Sequence, residues 1–190
     1  MAPGRRWGAV VVAIALLTLG VVPAFAAQFQ KTTPYTAPYS FDLNDCGFPI
    51  HVDGLQQGKV HIRQGTGKDA TAFFAHDQYA FQEVWTNTDT NAYFVVSGNG
   101  LFNEVKATQV SGSIFEFRSV NSGQPFTVTD SNGNVVIRDR GTIQETILFD
   151  TLGDDVPGGN EIELVSDKVH GPHPGFFVDI CDVASSLIGS

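Results

Sequence analysis

Positive charge is scarce in this chain. Eleven Lys and Arg face twenty Asp and Glu, for a formal net charge of −9. A surface of that sign is repelled by nucleic acid and by anionic membranes, so both are excluded as expected partners. Cysteine is almost as rare, with only Cys46 and Cys181 present. Two cysteines cannot build a zinc cluster or a disulfide-dense miniature scaffold, and no C-x-x-C spacing offers redox chemistry. There is no nucleophile elbow, phosphate loop, zinc-binding helix or dinucleotide fingerprint. After residue 26, no stretch of ten or more residues repeats its apolar positions at helical spacing, which argues against a helical domain.

The N-terminus has the layout of a secretory signal. Arg5 and Arg6 precede an uncharged apolar run from Trp7 to Val22, and Ala24-Phe25-Ala26 supplies a small-x-small site. We expect cleavage before Ala27. The run falls short of the ~20 residues a membrane span needs. No cysteine stands at the cleavage site and no apolar anchor closes the C-terminus, so the mature chain is expected to be secreted without a membrane anchor. In an oxidising compartment the Cys46 and Cys181 pair reads as one disulfide joining the start of the domain to its end.

Residues 27–40, rich in Thr, Pro and Tyr, read as an extended N-terminal arm. Residues 41–183 read as a single β-rich domain, and 184–190 as a C-terminal tail, with a helical turn possible over 183–188. Within the domain, apolar and polar residues alternate with period two at Phe48, Ile50 and Val52 and again at Val60 and Ile62. Similar runs lie near 70–76, 79–87, 92–97, 101–109, 112–120, 125–130, 134–140, 142–150, 161–167 and 176–182. Gly- and Asn-containing turns are expected at 65–67, 87–91, 97–100, 121–123 and 131–134. About ten short strands with regular turns predict an all-β fold, an antiparallel β-barrel with a two-sheet β-sandwich as the alternative. Asn132-Gly133 predicts a two-residue hairpin turn with Thr129 facing Val136.

A hairpin is also expected at 48–62, turning at Leu55 to Gln57. It sets Val52 opposite Val60, Asp53 opposite Lys59 and His51 opposite His61. His51 and His61 are therefore the candidate site histidines, since two adjacent imidazoles can share a metal or move a proton. His170 and His173 lie in a Gly- and Pro-rich segment that reads first as a turn. Hard oxygen ligands for calcium gather at Asp150, Asp154, Asp155 and Glu161, but without the D-x-D-x-D-G ladder. An ordinary acidic loop without a cofactor is the expectation there, calcium the alternative. Asp130, Asn132 and Asn134 are explained by the hairpin turn. His76-Asp77 is a conceivable acid–base pair, but neighbours on a strand point to opposite faces.

Three segments carry a resemblance. They are Asp45-Cys-Gly-Phe-Pro-Ile50, then Asn134 to Gly141 with Leu148 to Gly153, and last Gly171-Pro-His-Pro-Gly-Phe176 through Cys181. Together the chain resembles a group of uncharacterised small secreted actinobacterial proteins. The resemblance implies a signal peptide, a β-rich domain and two framing cysteines, and it brings no activity and no site residues. With no catalytic signature in view, the sequence predicts a secreted, non-catalytic extracellular module that binds a small-molecule or protein ligand. The alternative is an enzyme of isomerase or hydrolase type, with an acid–base site inside a β-barrel.

Overall fold

The computed structural model describes residues 30–67 and 70–189. The expected signal peptide and its cleavage site lie outside the described residues. Among the described residues the domain is all-β apart from 3-10 geometry at Gly67 and at Pro174–Phe177 and one helix, α1, at Ile180–Ile188. Its strands are β1 (Gln30–Leu43), β2 (Ile50–Gln64), β3 (Phe73–Asn87), β4 (Tyr93–Ser111), β5 (Ile114–Thr129), β6 (Val135–Arg138), β7 (Gly141–Asp150) and β8 (Asn160–His170). They form one antiparallel sheet in the order β1-β2-β3-β4-β5-β7-β8, with β6 paired to the end of β5. Among the described residues no pairing joins β1 to β8, so the ladder does not close into the expected barrel.

Strand length is the main departure from expectation. Residues 50–64 are one continuous strand rather than a hairpin, 93–111 and 114–129 likewise run through the positions expected to turn, and 73–87 joins two runs expected as separate strands. The expected pairing of His51 with His61 fails for this reason. They stand ten positions apart on β2, on the order of 33 Å at strand rise. Nor does Asp53 face Lys59. Asp53 lies opposite Ser40 and Val84, and Lys59 opposite Pro34 and Gln78. The even-numbered apolar residues of β2 still share a face because the strand period is two. Ile50, Val52 and Val60 are buried and Ile62 is half-buried.

Glycine explains the misread turns. Gly54, Gly58, Gly98 and Gly100 lie within strands, and each has an aromatic residue directly across in the register. Tyr39 faces Gly54, Tyr35 faces Gly58, Phe81 faces Gly98 and Tyr79 faces Gly100. A Cβ added at Gly54 would fall inside the Tyr39 ring, one at Gly58 would lie 2.6 Å from the Tyr35 hydroxyl, and one at Gly98 would lie 2.5 Å from Phe81. These glycines let a ring lie flat across the neighbouring backbone, the second use of glycine inside a strand.

The arm expected at 27–40 is largely β1, an edge strand of the sheet. Pro34 and Pro38 are spaced by four, so they remove backbone donors from the same side of the strand, and proline is tolerated only where that side faces away from the ladder. The opposite edge, β8, is exposed and carries Glu161, Glu163 and Asp167, which discourages pairing with another chain.

Two apolar cores sit at opposite ends of the long strands. The first joins Ile50, Val52, Trp85, Phe94, Val96 and Val128 to Ile180, Val183, Ala184 and Ile188 of α1. The second gathers Ala72, Phe74, Ala107, Phe115 and Phe117, with Ile147 and Phe149 against them. The strand expected at 176–182 is replaced by the start of α1. The Asp179 side chain accepts a hydrogen bond from the Cys181 backbone N–H and caps it. The apolar positions at 180, 183, 184 and 188 then form the buried stripe of a helix. Cys46 and Cys181 form the disulfide, which fastens this helix to the segment leading into β2.

The β5–β6 hairpin forms, but with a wider loop than two residues. Thr129 pairs with Val135 rather than Val136, after a bulge. Asp130 explains the difference: its carboxylate accepts from the backbone N–H of Asn132 and of Asn134, which holds a five-residue loop. Gly133 has φ +86° and nothing within 4 Å of its would-be Cβ. Replacing it costs backbone strain alone. Gly133→Val should lower unfolding free energy by ~1–3 kcal/mol and Gly133→Asn by much less, measured by urea denaturation.

Candidate functional site

Between the two cores, one cross-strand row is nearly bare of side chains. It runs Tyr35, Gly58, Tyr79, Gly100, Gly123 and Gly141 across six strands. The next row on the same face reads Thr33, Val60, Asp77, Phe102, Asn121 and Ile143. The tyrosines cross the glycines to reach polar partners beyond. Tyr35 donates to Asp77 Oδ2 at 2.7 Å, over Gly58. Tyr79 donates to Asn121 Oδ1 at 2.9 Å, over Gly100. Tyr39 donates to Glu83 Oε1 at 2.6 Å over Gly54, and Trp85 Nε1 donates to Glu83 Oε2 at 2.8 Å. Three of the four tyrosines thus act as polar struts across a strand.

This waist is acidic. Asp77 is 5 % exposed, and its Oδ1 is buried without a hydrogen-bond partner among the described residues. Burial pushes the Asp77 carboxyl up, against the opposing pull of Tyr35 and of His76. Burial likewise raises Tyr35, aided by its bond to Asp77, and raises Tyr79, which also feels the charges of Asp77 and Glu145. One row further on, Glu104, Ser119, Glu145 and Asp167 follow each other across β4, β5, β7 and β8. Glu145 is raised by burial and then by Glu161 and Asp167. Glu104 accepts from the Ala75 backbone N–H at 2.5 Å, and burial lifts its carboxyl from 4.5 to about 7.

The histidines lie elsewhere. His51 is half-exposed, with Nδ1 2.6 Å from Asp42 and Nε2 3.4 Å from Asp53, and its bond to Asp42 raises its pKa. His61 Nδ1 lies 2.8 Å from the Thr32 hydroxyl. Its cross-strand neighbour is His76, not His51. His173 is sealed in the interior with Nδ1 3.7 Å from Asp139, which also accepts from the Gly175 backbone N–H at 2.7 Å. Neither His173 nitrogen is hydrogen-bonded among the described residues; the Gly175 bond to Asp139 and the Arg140 N–H bond to the Pro172 carbonyl tie the Gly171–Phe176 segment to the β6–β7 junction.

Asp150 and Asp154 accept backbone N–H bonds from Leu152 and Val156, closing local turns, and Glu161 lies in β8 opposite Phe149. Among the described residues no three His, Cys, Asp or Glu side chains converge as metal ligands. The expectation missed Tyr35, Asp77, Tyr79, Glu104 and Asn121 as a group, although the matched spacing of Tyr35/Tyr39 with Gly54/Gly58 was there to find. No family model, no curated protein and no solved structure matches this chain.

A carboxyl whose folded pKa lies above its unfolded value binds its proton more tightly in the folded state. Glu104 therefore supports the fold below pH 4.5 and withdraws that support as pH rises through about 7. Glu104→Gln keeps the acceptor for Ala75. Its melting temperature should exceed wild type at about pH 8, and the gain should vanish near about pH 4, as read by calorimetry.

Proposed function

We propose that this chain is a secreted, non-catalytic binding module whose tyrosine- and carboxylate-lined waist holds a small ligand. The Cys46–Cys181 disulfide is compatible with an extracellular setting and, with the N-terminal signal layout, supports secretion. In this reading the long sheet coils on itself toward a barrel-like form, with the waist on its inner side. The observation that carries the reading is the buried, unpartnered Asp77 Oδ1, braced by Tyr35 between two apolar cores. Native interiors satisfy most buried polar atoms; the exceptions among the described residues are Asp77 Oδ1 and the two ring nitrogens of His173, and of these only Asp77 Oδ1 lies at the polar waist, where a ligand would complete the set.

Binding is favoured over catalysis by the partners of the acids. Asp77 and Glu83 are held by phenols and Glu104 by a backbone amide, groups that orient them and do not take protons at neutral pH. His76 acts on Asp77 through its field alone, its ring meeting Asn103, and the close His–carboxylate pairs among the described residues sit apart from the waist, one on the surface at His51 and one sealed at His173. A small-molecule fragment library, screened by chemical-shift mapping on the secreted protein, tests this. Hits should perturb the resonances of Tyr35, Asp77, Tyr79 and Asn121 without turnover. Hits confined to other surfaces, or conversion of a bound compound, would contradict it.

A further inference from the structure

Resting on that binding reading, we propose that the waist is selective for a small amphipathic organic cation whose ammonium group donates to Asp77 Oδ1. The group that complements the ionised carboxylate is a hydrogen-bond donor, because Oδ1 is then a buried acceptor and Oδ2 already has the Tyr35 hydroxyl. The nearby phenol that might serve is engaged, since Tyr79 donates to Asn121. A divalent metal does not suit the place. Among the described residues no three anionic or imidazole ligands meet, and one free carboxylate oxygen is too few for calcium.

Charge and shape select an organic cation among donors. Tyr79 lies in the fields of both Asp77 and Glu145. The basic group acting on Asp77 is His76, which extends from the other face of β3. A neutral hydroxyl would satisfy one hydrogen bond there, whereas an ammonium also offsets two carboxylates. The phenol rings of Tyr35 and Tyr79 offer electron-rich faces to such a cation. Val60 and Phe102, which flank Asp77 in its row, supply apolar contact for the body of the ligand.

The probes are phenethylammonium and its neutral isostere 2-phenylethanol, titrated into the secreted protein by calorimetry and by chemical-shift mapping. Phenethylammonium should bind roughly tenfold or more tightly than the alcohol, since a charged partner to a buried carboxylate is worth at least that factor. Asp77→Asn should remove the preference, while Lys59→Gln, outside the waist, should leave it intact. Wild-type affinity for the ammonium should also fall as the pH drops and Asp77 takes up its proton, a readout that does not depend on the variant folding. Equal affinity for both probes, or a preference that survives Asp77→Asn, overturns the proposal. If the alcohol shifts the waist resonances and the ammonium does not, the cation inference fails and the binding reading stands. If neither probe shifts the waist and the fragment library also finds nothing there, both fail.

Discussion

Glycine placed directly across from an aromatic ring is the constraint on which the rest of this fold depends. A ring can lie flat over a neighbouring strand only where that strand carries no Cβ. At Gly54 a methyl group would occupy space already filled by the Tyr39 ring; at Gly58, Gly98 and Gly100 it would crowd Tyr35, Phe81 or Tyr79 and also the backbone carbonyl of Gln78, Pro125 or Ser122. The strands therefore run unbroken through four glycines, and the rings replace the packing those glycines lack. Glycine in a strand is otherwise unfavourable, through lost side-chain contact and added chain entropy, so an empty position would weaken the sheet where it is longest.

The same device makes the waist. A tyrosine that crosses one strand puts its hydroxyl over the next, and there it finds Asp77, Glu83 or Asn121. The acids are held rigidly and partly out of water, which raises Asp77, Glu104 and Glu145 together by desolvation. Apolar cores seal the strand ends on both sides, one stapled through α1 by the disulfide. Polar groups are thus concentrated at mid-strand, between the two cores.

Local chemistry was legible in the sequence where one residue type decides the outcome. Period-two patterning gave an all-β domain, a lone cysteine pair gave the disulfide, and Gly133 gave a positive-φ turn. Strand length was not legible, because glycine punctuates turns far more often than it floors a ring contact. That single ambiguity cut β2, β4 and β5 in two and set His51 opposite His61. The waist was hidden for a different reason. Asp77 and Glu104 are isolated acids in strands, and only the register, which places Tyr35 and Tyr39 over Gly58 and Gly54, shows that they share a face. Ile180 to Ile188 was misread at its start because Phe176 to Ile180 is apolar enough to pass for a strand until Asp179 is recognised as a cap.

The glycine crossing is tested most directly by a double-mutant cycle at Gly54 and Tyr39, where the ring alone fills the space a Cβ would need. Unfolding free energies would be measured for wild type, Gly54→Ala, Tyr39→Ala and the double variant. Gly54→Ala should cost ~1–3 kcal/mol beneath the tyrosine, from overpacking. In the Tyr39→Ala background the same change should be neutral or stabilising by a few tenths to ~1 kcal/mol, as expected when alanine replaces a strand glycine with room for it. A coupling energy of that size supports the account, and strictly additive effects would contradict it.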